Sequence, residues 1–262
     1  MNNKQFMYKT QQFSEMFSEV VAACKGLLKN SPLAEEARVY LDKRVSTFNQ
    51  QKFDFGYFPN EENLELLISK VGEKKLQKLG LIYNYNIHNR KGLLNLHNLC
   101  MPIKDDYGNI VALVGRTLLP ESEQKELEIS KYKYSNFTKA ANLFNLNFAK
   151  RSIRNSRSVI LVEGQIDCIS CHAHGFHNTV ALGGASLGWF QLYLLRKYGT
   201  KDLTIYLLLD NDNAGRKAQQ KIIDRYSEEA TIKKVFLPED FKDVDEYLHK
   251  SNDYSALNGL LS

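Results

Sequence analysis

The sequence predicts an α/β chain in two parts: an α+β N-terminal subdomain over 1–157 and a parallel-sheet βα domain over 158–250, followed by a short tail at 251–262. Three observations predict it. From 158 onward, apolar runs of strand length alternate with helical patterns, as in a parallel sheet covered by helices. Before about residue 98 the periodicity is mainly helical. The charge also changes sign between the parts. Residues 1–157 carry 24 Lys+Arg against 16 Asp+Glu, and residues 158–262 carry 11 against 14, so the net charge of +5 divides into +8 and −3.

The N-terminal elements follow in order. Residues 11–29 place Phe13, Phe17, Val20, Val21, Cys24, Leu27 and Leu28 at helical spacing. A second helix is expected over 31–44, with Ser31 as N-cap, Pro32 in the first turn and Glu35 completing a capping box. A third is expected at about 61–71 and a short one at 73–79, closed by Gly80. From about 98, "LCMPIKDDYGNIVALVGRTL" reads as two strands around a hairpin turn. The polar run "PESEQKELEISKYKYS" reads as a mobile loop, and 139–156 leads into a basic helix.

The second part is expected to hold strands at 159–162, 178–182, 203–209 and 231–237. Helices at about 165–174, 188–198 and 214–228 separate them. No apolar run is long enough to span a bilayer, and "MNNKQFMYKT" lacks the apolar segment of a secretory signal. A cytoplasmic protein with no membrane partner is expected. Of the four cysteines, only Cys168 and Cys171 are close in sequence. One continuous helix would not wrap ligands around a zinc ion, so this C-x-x-C reads as helix packing.

Carboxylates follow the strands. Glu163 and Asp167 lie in "EGQID", Asp210 and Asp212 in "DNDNAG", and Asp243 and Asp245 in "DVDEYL". Ligands in open parallel sheets bind outside the carboxyl ends of the strands. Carboxylates gathered there either stay partly protonated or hold a hard divalent cation through oxygen. D-x-D at a strand-to-helix turn is also a common helix N-cap. Recurrence of such clusters after successive strands favours a metal site. Gly164 suits a tight turn, and Gly183 and Gly184 would let backbone amides approach a ligand closely.

Taken together, "VILVEGQIDCISCHAHGFHNTVALGGASL", "LTIYLLLDNDNAGRKA" and "DVDEYL" resemble the TOPRIM domain of primases, topoisomerases and some nucleases. Their details are most similar to the bacterial DnaG-type replicative primase. "AEEARVYLDKRVSTFNQQKFDFGYFPN", "NLCMPIKDDYGNIVALVGRTL" and "SKYKYSNFTKAANLFNLNFAK" resemble the segments preceding TOPRIM in that family, so the resemblance spans about 33–250. It implies synthesis of short RNA primers on single-stranded DNA from ribonucleoside triphosphates with Mg²⁺ or Mn²⁺. It also implies Glu163, Asp210 and Asp212 as the catalytic metal-binding acids, with Asp167, Asp243 and Asp245 as secondary ligands or organisers. Arg116, Lys131 and Lys139 align with family positions that hold nucleotide phosphates or template. Arg216 either pairs with the acids or contacts substrate. The resemblance includes neither the family's zinc ribbon nor its helicase-binding domain. A replicative helicase or a separate zinc-ribbon protein is therefore an expected partner. Two other functions fit the same features: a TOPRIM nuclease, in which water replaces the primer hydroxyl, and a non-catalytic single-stranded nucleic-acid-binding module.

Overall fold

The computed structural model describes residues 3–86 and 89–251, together with 257 and 259. Most of the tail expected at 251–262 lies outside the described residues. The chain forms two compact units. The first comprises residues 1–103 and 109–137, and the second comprises 104–108 and 138–262. This division by packing falls earlier than the change of charge at 157/158, because the basic helix ending at Ser156 packs with the second unit.

In the first unit, α1 (Asn3–Asn30) leads to α2 (Glu35–Arg44), α3 (Thr47–Lys52) and β1 (Gly56–Tyr57). Then come α4 (Glu65–Val71), α5 (Glu73–Lys78), β2 (Ile82–Asn86), β3 (Asn89–Gly92), β4 (Leu99–Lys104), β5 (Ile110–Arg116), α6 (Glu121–Glu126) and β6 (Tyr132–Tyr134). The apolar stripe of α1, from Phe17 through Val20, Val21 and Cys24 to Leu28, is buried as its spacing requires. It packs beside β1 and β5 of a sheet ordered β1-β4-β5-β6. Ser31 does cap a turn, its hydroxyl accepting from the Leu33 amide at 3.3 Å. That turn is 3₁₀ over Pro32–Ala34, and Glu35 opens α2.

Two elements differ from expectation. The polar run after Pro120 is not one loop. It holds α6, with an i,i+4 Lys125–Glu121 pair at 3.2 Å, and β6, an edge strand. The antiparallel pair β2–β3 arises where the sequence pattern assigns no element. There Arg90 is tied to Glu65 at 3.1 Å and to Glu73 at 3.2 Å.

The second unit contains α7 (Leu146–Ser156), β7 (Ser158–Val162), α8 (Gln165–Ala173), β8 (Thr179–Ala181), α9 (Trp189–Gly199), β9 (Thr204–Leu207), α10 (Asn213–Tyr226), β10 (Thr231–Lys234) and α11 (Val244–Lys250). The strands are all parallel, in the order β10-β9-β7-β8. The apolar runs of β7 and β8 are continuous because both sheet faces are covered there. Val159 and Leu161 join Ile205, Leu207 and side chains of α7, α9 and α10 in one cluster. Alternation turns the buried Ile160 and Val162 to the other face, which α8 covers with α11 against it. β10 is an edge strand, and its exposed Lys233 and Lys234 discourage pairing with another chain.

The turn at 104–108 belongs to this unit through Asp106. Its carboxylate accepts from Lys197 at 2.8 Å and from the Tyr198 hydroxyl at 2.6 Å, and its carbonyl accepts from Lys150 at 2.6 Å. Burial pushes the Asp106 carboxyl up, but the bonds from Lys197 and Tyr198 outweigh it and leave the group below its ordinary value. Among the described residues, no helix is long and apolar enough to cross a membrane.

Candidate active site

β7 and β9 are neighbours in parallel register, Leu161 opposite Leu207, and the Leu208 amide continues the ladder to the Leu161 carbonyl at 2.9 Å. Each strand ends by releasing an acid: Glu163 after β7, Asp210 after β9. Adjacent strands thereby deliver both to one sheet edge, and the Glu163 carboxylate accepts from the Asp210 amide at 3.3 Å. Asp212 follows as N-cap of α10, its side chain accepting from the Gly215 amide at 2.8 Å. Glu163 is pushed up to about 7, first by burial and then by the Asp210 charge, with Asp212 adding to it. The bond from the Asp210 amide pulls the other way. The structure therefore brings Glu163, Asp210 and Asp212 into electrostatic contact.

The turn between Asp210 and Asp212 is fixed from below by two residues that the acid pattern did not single out. Asn211 donates its side-chain amide to the carbonyls of Leu237, Pro238 and Phe241 at 3.1–3.2 Å. Its own amide donates to the Lys242 carbonyl at 2.7 Å. Gly215 lets α10 close on the loop, since a Cβ there would lie 2.0 Å from the Asp210 carbonyl oxygen. Because that neighbour is backbone, Gly215→Ala is expected to destabilise the fold by about 1–3 kcal/mol. A lowered denaturation midpoint would register this, and an unchanged midpoint would contradict the tight packing of α10 on Asp210.

The other predicted acids have local partners. Asp167 sits in the first turn of α8 and accepts from the Gly164 amide at 3.2 Å. Gly164 does not serve a tight turn: its backbone is extended, and a Cβ there would meet only the end of the movable Asp167 side chain. Asp243 is the N-cap of α11, accepting from the Glu246 amide at 2.8 Å. Asp245, 4% exposed, accepts from the Ser170 hydroxyl and lies 3.2 Å from His249, so it links α11 to α8. Among the described residues, no three His, Cys, Asp or Glu side chains converge as a ready-made metal cage. Glu163, Asp210 and Asp212 instead line an edge of hard oxygen donors. Such donors fit a hard divalent cation, which takes carboxylate oxygens and leaves other positions to water or phosphate.

Lys139 donates to the Gly183 carbonyl at 2.8 Å, and burial lowers its ammonium below the ordinary lysine value. Gln191, 1% exposed, holds the Lys139 and Asn142 carbonyls at 3.3 and 2.7 Å. The Gly183 amide donates to the Glu163 carbonyl at 2.9 Å and ties the ends of β7 and β8. Open space surrounds Gly184 where a side chain would begin. In the first unit, the Arg116 guanidinium lies 4.5 Å from the Tyr40 ring centre, and the Lys131 ammonium lies 5.9 Å from that of Tyr132. The Arg216 guanidinium donates to the Asn211 side-chain carbonyl at 3.4 Å. Cys168 and Cys171 are free and buried in α8, and burial raises both thiols.

Comparison with known proteins covers both units. Residues 25–150 match the family described as DNA primase catalytic core, N-terminal domain, and residues 160–248 match Toprim-like. The DNA primase of Clostridium acetobutylicum is 30% identical over 256 residues, which cover 95% of this chain and 41% of that protein. The DNA primase of Aquifex aeolicus is 32% identical over 229 residues, covering 86% of this chain and 43% of the relative. The chain thus spans under half the length of these relatives. Among solved structures, the zinc-binding and RNA polymerase domains of the Aquifex aeolicus primase superpose with TM-score 0.75 at 29% identity, covering 94% of this chain and 61% of that one. The RNA polymerase domain of Mycobacterium tuberculosis DnaG superposes with TM-score 0.80 at 25% identity, covering 95% and 82%. With both primase-core matches in order along the chain, and primase relatives aligned over 86–95% of it, this chain belongs to the family of DnaG-type primase catalytic cores.

Proposed function

We propose that this chain is the primer-synthesising core of a DNA primase, joining ribonucleoside triphosphates into short RNA on a single-stranded DNA template. The observation that carries this reading is the crowded edge of Glu163, Asp210 and Asp212, where mutual repulsion and burial hold Glu163 at about 7. Such an edge calls for a cation. The family implies a divalent one, and Mg²⁺ or Mn²⁺ suits the oxygen donors. Bound there, the metal would neutralise phosphate oxygens and acidify a hydroxyl.

The chain's own residues do the rest. Glu163, Asp210 and Asp212 hold the metal. Asp167, Asp243 and Asp245 organise the helices that flank the edge, through the caps and the link to Ser170. The attacking group is the 3′-hydroxyl of the growing strand, so no protein nucleophile is needed. Lys139 and the open Gly184 backbone receive phosphate, while Gly183 positions them through its bonds to Glu163 and Lys139. Arg116 offers a planar fork, and Lys131 a movable charge, to nucleotide or template. A replicative helicase or a zinc-ribbon protein is the proposed partner for recruitment to template.

The test is primer synthesis on mixed single-stranded templates with all four ribonucleotides and each metal in turn. Short RNA is the expected product. Metal-dependent degradation of the template without nucleotides would point to a nuclease instead. No product under any condition would overturn the reading.

A further inference from the structure

Helix α9 buries Leu192, Leu194, Leu195 and Tyr198 and presents its other side to solvent. That side carries Trp189, Phe190 and Tyr193, which are 65%, 44% and 49% exposed. Trp189 and Tyr193, one turn apart, lie nearly parallel, with ring centres 6.0 Å apart and planes at 14°. Phe190 adjoins Tyr193 at 5.6 Å. A contiguous exposed aromatic surface of this kind usually serves an interaction. Beyond it, Arg196, Lys197 and Lys201 join Trp189 and Tyr193 in lining a cavity of about 440 Å³. Lys197 is engaged by Asp106, whereas Arg196 and Lys201 are exposed. Glu229 is the one carboxylate in the lining. It can accept a hydrogen bond from a base amino group.

We infer that α9 is a stacking track for single-stranded nucleic acid, with bases on Trp189 and Tyr193 and phosphates on Arg196 and Lys201. Two features favour this occupant. Flat aromatic faces accept any base, and adjacent cations follow a backbone. Three basic side chains against one carboxylate line the cavity, a balance that favours a polyanionic backbone. The track starts where α9 follows β8 and runs about 16 Å along the helix. It is built without Glu163, Asp210 or Asp212. The inference rests on the proposed function only in giving its template strand a second contact.

Trp189 is the sole tryptophan of the chain, so its fluorescence reads the track directly. The full chain is titrated in EDTA with a single-stranded DNA oligonucleotide, while anisotropy of a labelled copy follows total binding. Quenching of Trp189 that weakens with salt is expected. Arg196→Glu combined with Lys201→Glu is expected to weaken binding roughly tenfold with an unchanged melting temperature, since both side chains are exposed. Asp210→Asn should lose primer synthesis but keep the quenching, which separates failure of the track from failure of the catalytic reading. Binding without quenching, quenching unaltered in the double variant, or no binding would each overturn the inference. So would self-association of the chain that the double variant abolishes.

Discussion

Asp210→Asn is expected to lower primer synthesis by roughly a thousandfold while leaving the fold intact. The substitution keeps the size of the side chain and the backbone amide that donates to Glu163 at 3.3 Å. It removes one negative charge from the edge. With Asp210 neutral, the second-largest influence holding Glu163 up is gone, and the Glu163 carboxyl falls towards its ordinary range. The metal-free variant should therefore melt no lower than the parent at neutral pH, and should gain if repulsion dominates. Activity should move the other way, because the proposed cation would lose an anionic ligand. Initial rates of primer synthesis at saturating metal, read beside thermal melts, check both halves. A variant that kept full activity would remove Asp210 from the metal-binding set. One that lost activity only by unfolding would make its role structural.

Much of this edge is legible in sequence, because strand periodicity and strand ends are local properties. "VILV" and "IYLLL" are continuous apolar runs, and a parallel strand covered on both faces needs nothing else. The acids that follow must then share one edge, whatever the strand order. For Asp212 the helix-cap half of the choice between cap and metal ligand is visible in the fold: it caps α10, and its charge also bears on Glu163. What the pattern could not reveal depends on partners distant in the chain. Asp245 and Asp243 look alike in "DVDEYL", yet Asp245 is buried against Ser170, 75 positions away. Asn211 looks like a spacer between acids. Its side chain turns to the segment before α11, and only the folded chain supplies those carbonyls. The polar run after Pro120 has no apolar face to give it periodicity. β6 exists because β5 offers it a ladder, Val114 opposite Tyr134. Gly183 was legible as a special backbone position, with φ of +72°, but its amide serves the Glu163 carbonyl inside the fold.

Magnesium affinity is expected to rise roughly fiftyfold from about pH 5 to 7, nearly tenfold over the first unit, and to level off above that range. The reason is proton competition at Glu163. Its carboxyl is raised from 4.5 to about 7 in the fold. Below that value the folded protein holds a proton where a cation would bind, and each unit of pH removes tenfold more of the protonated form. The sign for the metal-free protein follows from the same shift. The group binds its proton more tightly folded than unfolded, so its contribution to stability is complete below about 4.5. That contribution is lost as pH rises through about 7, when Glu163 ionises beside Asp210 and Asp212. A divalent cation at the proposed site would offset this loss by taking the place that the proton leaves. Melting temperatures with and without MgCl₂, taken in half-unit steps from pH 5.0 to 8.0, separate the two effects. The metal-free curve should fall up to about pH 7 and then flatten, and the metal-induced shift should grow over the same range. Asp210→Asn should flatten both trends, because its charge is part of what lifts Glu163. A magnesium shift that stayed constant across this range would place the cation away from Glu163.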